Sequence, residues 1–135
     1  MKIVFCGSMA FAAKMLELKD GVENLGHRAV LPDTAAAHAA GRVSMENKEE
    51  KIVNDSIRKH YEKIRESDAI LVLNFDKNGI AGYIGGNSFL EMGFAHVLNK
   101  KIFLLNPIPA IGYADEIEAM KPVILNGDLT RITDN

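Results

Sequence analysis

The sequence predicts a three-layer α/β fold: an open parallel sheet of about five strands with helices on both faces, in one domain covering residues 1–135. Three observations carry this reading. Short apolar runs alternate along the chain with segments whose apolar residues recur at helical spacing, the pattern of a parallel sheet built from crossover units. The run Ala69-Ile70-Leu71-Val72-Leu73 is apolar without a break, as expected of a central strand buried on both faces. The composition, 47% apolar and 25% charged in 135 residues, is that of an ordinary globular domain with a single core.

Taken in order, Ile3-Val4-Phe5-Cys6 is a short buried strand stopped by Gly7-Ser8. Residues 11–25 carry Met15, Leu16, Leu18, Val22 and Leu25 at helical spacing, interrupted by Gly21. Gly26 is placed as a helix stop, and residues 27–31 read as a second strand closed by Pro32-Asp33. The alanine-rich stretch 34–44 has no strong apolar face and reads as a mobile loop that can include a short helical turn. A charged helix is expected over 46–66, with Ile52, Val53, Ile57, Tyr61 and Ile64 as its buried stripe. After the central strand comes a Gly- and Asn-bearing loop over 74–87, a helix from about Ser88 to Asn99, and a fourth strand at 102–105. A short helix over 115–120 and a last short strand over 122–125 complete the pattern.

Bulk properties exclude several classes. A formal net charge of -2 lacks the basic excess of a nucleic-acid-binding surface. The single cysteine makes no internal disulfide, which fits a reducing compartment. No apolar run is long enough to span a membrane, and the N-terminal run has no cleavage-type tail, so a cytoplasmic location is expected. There is no Walker lysine loop or dinucleotide fingerprint, and the four histidines show no metal-ligand spacing, so no cofactor and no metal are expected.

In an open parallel sheet, ligands bind beyond the carboxyl ends of the strands where strand order reverses. Three loops should converge there: Gly7-Ser8-Met9, residues 74–88, and residues 106–112. The first two bring glycines that allow close backbone approach to an anion, while Ser8, Asn74, Asn87 and Ser88 add donors. Glu91 falls in the first turn of the helix that the second loop feeds, where the helix dipole favours a carboxylate. Two readings of it stand. Ser88-Phe89-Leu90-Glu91 has the form of a capping box, with Ser88 as the cap. Alternatively Glu91 is a nucleophile directed at an anomeric carbon. Cys6 reads as a buried small apolar residue, His96 as structural, and Tyr83 equally as a base-stacking lid or a core-packing ring.

Several segments, in order, resemble one family. Phe5-Cys6-Gly7-Ser8-Met9 is similar to the opening of the nucleoside 2-deoxyribosyltransferase superfamily, especially its deoxynucleoside monophosphate N-glycosidase branch. Ser67-Asp68-Ala69-Ile70-Leu71-Val72 resembles the segment leading into that superfamily's central strand. Asn87-Ser88-Phe89-Leu90-Glu91-Met92-Gly93-Phe94-Ala95, followed by Asn99-Lys100-Lys101-Ile102-Phe103-Leu104, resembles its nucleophile helix and next strand. The resemblance implies a flavodoxin-like (Rossmann-like) fold and cleavage or transfer of an N-glycosidic bond of a nucleoside or nucleoside 5′-monophosphate through a glutamyl intermediate. It makes Glu91 the nucleophile, places Gly7 and Ser8 along the sugar, and gives the 5′ end to Gly86, Asn87 and Ser88. It also implies a dimer in which a neighbouring subunit completes each site, with Asn126 as a candidate for that contribution.

The pattern departs from the family at the aspartates that often accompany the nucleophile. Gly85 stands six residues before Glu91, and His60 lies near the other position, in the helix before the central strand. Asp76 is then the candidate acid for the leaving base, with Asp55 the weaker alternative. The loop around Asp76-Lys77-Asn78-Gly79 is longer than in close family members. Gly85-Gly86-Asn87-Ser88-Phe89-Leu90-Glu91 also partly echoes the Gly-Gly-x-Gly-Thr-x-x-Glu motif of phosphoribohydrolases, without the arginine-bearing part of that motif. A non-catalytic nucleotide- or sugar-binding module that has lost the acid is a third reading.

Overall fold

The computed structural model describes residues 1–41 and 55–134. In chain order the elements are β1 (Lys2–Cys6), a 3₁₀ turn (Met9–Phe11), α1 (Ala12–Asn24), β2 (Arg28–Val30) and α2 (Ala35–Ala39). They continue with α3 (Ser56–Arg65), β3 (Ala69–Val72), α4 (Gly86–Val97), β4 (Lys101–Leu104), α5 (Ala114–Ala119), β5 (Val123–Ile124) and a 3₁₀ turn (Leu129–Arg131). The five strands form one parallel sheet in the order β2-β1-β3-β4-β5, a flavodoxin-like arrangement with β3 at its centre.

Strand alternation splits the core into two layers. Ile3 and Phe5 of β1, Leu71 of β3 and Phe103 of β4 pack with Met15 and Val22 of α1. Val4 and Cys6, Ile70 and Val72, and Ile102 and Leu104 face the other way, against Ile64 of α3, Met92 and Ala95 of α4, and Ile117 of α5. A period of two along each strand is what sends neighbouring residues to opposite faces. Cys6 therefore points toward α3 and α4, and this one fact places it in the site described below. The register aligns Cys6 with Val72, and Val72 with Leu104, so β1, β3 and β4 end level with one another.

The unbroken apolar run at 69–72 is buried at every position, as the sequence reading requires of a central strand. Three local expectations need correction. The helix expected from Ser88 begins two residues earlier, with Gly85 as its N-cap and no side-chain cap bond, so no capping box forms. Ser88 is the third helical residue and is buried, and Glu91 lies in the second turn, away from the strongest part of the dipole field. In α3, Ile57 is 45% exposed, and the buried residues are His60 and Ile64. Ile52 and Val53 of the expected stripe lie outside the described residues. Within the alanine-rich stretch, 35–39 forms a helix.

The loop after β3 contains a feature that the sequence signals plainly. Asn78 and Gly79 both have positive φ, 54° and 73°, and Lys77 and Ile80 exchange two backbone hydrogen bonds of 3.1 and 2.9 Å. Asn-Gly with both residues left-handed is the two-residue hairpin turn of type I′. The extra length of this loop is thus a miniature hairpin. Asn74 fastens its base. Its Nδ2 donates to the carbonyls of Asn106 (2.8 Å) and Pro107 (3.1 Å), its Oδ1 accepts from Asn106 N (2.9 Å), and its own carbonyl accepts from Asn106 Nδ2 (3.0 Å). Gly82 follows at φ +66°, where an added Cβ would sit 2.9 Å from the Pro107 carbonyl oxygen. Only glycine fits such a left-handed position against another stretch of backbone.

Candidate active site

Two clefts open above the ends of β1 and β3, where the strand order changes direction. The first, of about 220 Å³, is floored by Gly7, His60, Asn87 and Glu91 and walled by Asp33, Ile57, Lys63 and Leu90 among others. The second, of about 250 Å³, lies between Gly7-Ser8, the side chains of Lys77 and Tyr83, and residues 85–88 at the start of α4. Gly7 and Asn87 belong to both, so the two clefts form one continuous depression. Together they reach the ~300–1,000 Å³ of ordinary small-molecule sites.

Glu91 stands in the first cleft, its side chain 17% exposed, with Oε2 3.3 Å from His60 Nε2. His60 Nε2 is in turn 3.5 Å from Cys6 Sγ. The ring also bonds to the Phe5 backbone carbonyl. Burial, with the positive charge of Lys63 second, pulls the His60 pKa down to about 4. A carboxylate 3.3 Å away would by itself favour the charged ring, but desolvation outweighs it here, so a neutral imidazole faces Glu91. Burial, and then the charge of Glu91, pushes the Cys6 thiol well above its usual range, so it remains protonated. The arrangement is held from behind, where Tyr61 of α3 and Phe94 of α4 meet edge-to-face with centroids 5.1 Å apart.

At the mouth of the first cleft, Lys63 Nζ bonds both the Leu31 carbonyl (2.9 Å) and the Asp33 carboxylate. That ammonium holds the Asp33 carboxyl below its ordinary range. Asp33, the other carboxylate among the described residues of this cleft, is therefore a poor proton donor near neutral pH. In the second cleft Lys77 Nζ donates to Ser8 Oγ (2.8 Å) and lies 5.8 Å from the centroid of the Tyr83 ring. The first intrahelical bond of α4 runs from Phe89 N to the Gly85 carbonyl (2.9 Å). The amides of Gly86, Asn87 and Ser88 precede it, and the first-turn N–H groups of a helix have no acceptor within it. Three amides and one lysine ammonium thus border the second cleft, a setting suited to an anion.

Of the residues singled out from sequence, Gly7 and Asn87 line both clefts, Glu91 lines the first, and Ser8, Gly86 and Ser88 line the second. The other three lie elsewhere. Asn74 is fully buried and occupied in the latch to Asn106. Asp76 is exposed, and its Oδ1 accepts from Gly82 N (2.9 Å), so it shapes the hairpin loop. Asn126 is exposed at a left-handed position (φ 51°) after β5, in neither cleft. Sequence reasoning passed over Lys77, whose signal was the Asn-Gly pair that folds its loop back. It also passed over Asp33 and Lys63, and it gave Cys6 and His60 no role in the site. Cys6 and His60 are 54 positions apart, and no local spacing rule joins them.

The buried neutral His60 predicts a pH dependence of stability. An unfolded histidine titrates near ~6.5, whereas in the fold the value is about 4. Between these two values the unfolded chain holds the extra proton, so stability falls as pH drops through that window and is unaffected above it. The effect is on the order of 3 kcal/mol. Thermal midpoints measured from pH 7 to pH 4.5 should fall less steeply in His60→Asn than in wild type, and equal slopes would refute the assignment.

No protein-family model matches the chain, and no curated protein sequence matches it. Among solved structures, the fold is similar to that of the Clostridium botulinum CMP N-glycosidase BcmB, with a TM-score of 0.54 and 14% identity. The match covers 93% of this chain and 90% of that one. At this identity the likeness establishes the α/β fold, an all-parallel open sheet with helices on both faces. No helix among the described residues is long and apolar enough to cross a membrane.

Proposed function

We propose that this chain cleaves or transfers the N-glycosidic bond of a nucleoside 5′-monophosphate, with Glu91 as the nucleophile. The observation that carries the reading is the pairing of two clefts on one helix. A carboxylate stands in the first, and a cradle of amides and Lys77 borders the second. The phosphate would lie at residues 86–88 with Lys77, and the sugar would cross Gly7 and Asn87 to bring C1′ to Glu91. The Glu91 oxygen then forms a bond to C1′ as the C1′–N bond breaks, and the base departs with the bonding pair and a proton from solvent. Water, or a second base, releases the sugar from the resulting glycosyl ester. The fold shared with a CMP N-glycosidase supports this reading, as does the ordered family resemblance of the sequence.

Thermal shift against matched ligands tests the phosphate cradle. A nucleoside monophosphate should stabilise the protein more than its nucleoside does, and chromatography should then find free base. Lys77→Met should weaken the monophosphate by about tenfold or more, the loss of one charge-assisted hydrogen bond of ~1.5–3 kcal/mol, and leave the nucleoside unchanged. Equal stabilisation by both ligands would remove the phosphate from the second cleft.

A second reading, a binding module without turnover, is favoured by the state of the potential acids. His60 is held neutral and Asp33 is paired with Lys63, so neither is set to protonate a leaving base. Tight binding of a monophosphate with no base released over long incubation would select it. We also propose that the chain self-associates over the cleft mouth, where Ile57 and Leu90 are exposed and Val97 continues the apolar face of α4. Light scattering that finds only monomer at assay concentration would refute that.

A further inference from the structure

We propose that Cys6, His60 and Glu91 form a binding site for one divalent transition metal of the zinc class. Among the described residues, these three offer a thiol sulfur, an imidazole nitrogen and a carboxylate oxygen that all lie within 4.8 Å of one another. The observed edges match what a metal would require. Bonds of ~2.3 Å to sulfur and ~2.0–2.2 Å to nitrogen and oxygen, at tetrahedral angles, put sulfur about 3.6 Å from nitrogen and nitrogen about 3.4 Å from oxygen. The distances found are 3.5 Å from Cys6 Sγ to His60 Nε2 and 3.3 Å from His60 Nε2 to Glu91 Oε2. The remaining sulfur-to-oxygen edge lies within 4.8 Å, against about 3.6 Å for a tetrahedral ion of this class, and Glu91 is the most exposed of the three groups.

The surroundings favour ligation as well. The His60 ring bonds the Phe5 backbone carbonyl, and its Nε2 faces both other groups, 3.5 Å from Cys6 Sγ and 3.3 Å from Glu91 Oε2. An outer hydrogen bond of this kind orients the ligating nitrogen at most histidine metal sites. Sulfur and imidazole together select zinc, cobalt, nickel or copper over magnesium and calcium, which prefer all-oxygen sites. Three protein ligands leave a fourth position open, and two of the three, His60 and Glu91, line the cleft through which an ion would enter. Binding deprotonates the thiol and releases that proton to solvent. The metal site does not depend on the proposed glycosidic reaction. Where both hold, an ion here would occupy the Glu91 oxygen that attacks the sugar, a consequence that rests on the proposed function.

Titration of the full chain with Co²⁺ tests the site without any turnover assay. The chain has one cysteine, so a sulfur-to-cobalt charge-transfer band has a single source. One equivalent of Co²⁺ should produce that band together with the intense visible absorption of tetrahedral cobalt, and Zn²⁺ should bleach both. Cys6→Ser should lose the charge-transfer band, and His60→Gln should weaken binding by about 100-fold or more. A wild-type protein that shows no charge-transfer band at saturating Co²⁺ overturns the inference, and this arm does not depend on how the variants fold. Unchanged affinity and stoichiometry in Cys6→Ser would also overturn it.

Discussion

Replacing Glu91 by glutamine is expected to lower turnover of a nucleoside monophosphate by on the order of 10⁴-fold or more while leaving the fold in place. An amide keeps the size and most of the polarity of the carboxylate, yet it lacks the negative oxygen that forms the bond to C1′ in the proposed reaction. The fold should tolerate the change because Glu91 borders the cleft and the core below it is built by Met92 and Ala95. A nucleophile can be told from a positioning group by rescue. In Glu91→Ala the shortened side chain leaves room beside C1′, and added azide should restore base release and give a glycosyl azide of inverted configuration. Activity of Glu91→Gln within about tenfold of wild type would remove Glu91 from covalent chemistry.

The second large effect is on stability. Asn74→Asp should lower the thermal midpoint by more than about 12 °C, from a loss of at least ~4 kcal/mol. The native Nδ2 donates to two carbonyls, those of Asn106 and Pro107, inside a fully buried position. Aspartate would turn a carboxylate oxygen toward those same carbonyls, forfeiting two hydrogen bonds and burying a charge among acceptors. Asn74→Ala should cost somewhat less, since it strands the partners without adding charge. Acidification offers a control. Once protonated, the introduced carboxyl group can donate one hydrogen bond, so the deficit of Asn74→Asp against wild type should narrow toward pH 5. An aspartate variant as stable as wild type across pH would show that the latch carries no weight.

Much of the architecture was legible because the signals were local. The uninterrupted run at 69–73 marked the central strand, and the alternation of strand and helix marked the parallel sheet. Glycine and asparagine clusters marked the loops at the strand ends. The start of α4 was misread because Ser88 and Glu91 have the spacing of a capping pair. In the fold Gly85 takes the cap, its extended backbone suiting an N-cap, and this frees the amides of residues 86–88. Ile57 was read as buried from helical periodicity, but periodicity cannot tell a core face from a cleft face. Asn74 was read as a ligand donor because asparagine beyond a strand end serves either purpose, and its partner Asn106 is 32 residues away. The meeting of Cys6 with His60 depended on which face of β1 Cys6 takes and on how α3, which carries His60, crosses the sheet. Both are tertiary facts that no spacing in the sequence encodes.

Helix α4 also acts as a ruler. The proposed anion cradle at residues 86–88 and the carboxylate at Glu91 stand on one rigid rod, separated by about 4.5 to 7.5 Å of axial rise. A ligand that engages both must span a fixed length between its charged end and its reacting bond. A one-residue insertion between Asn87 and Glu91 would swing the carboxylate by about 100° around the rod and out of the cleft. Changes of preferred ligand length are thus barred to small insertions within α4. They are left to the loops that face it, above all the hairpin carrying Lys77, which can lengthen or retract without turning Glu91 away.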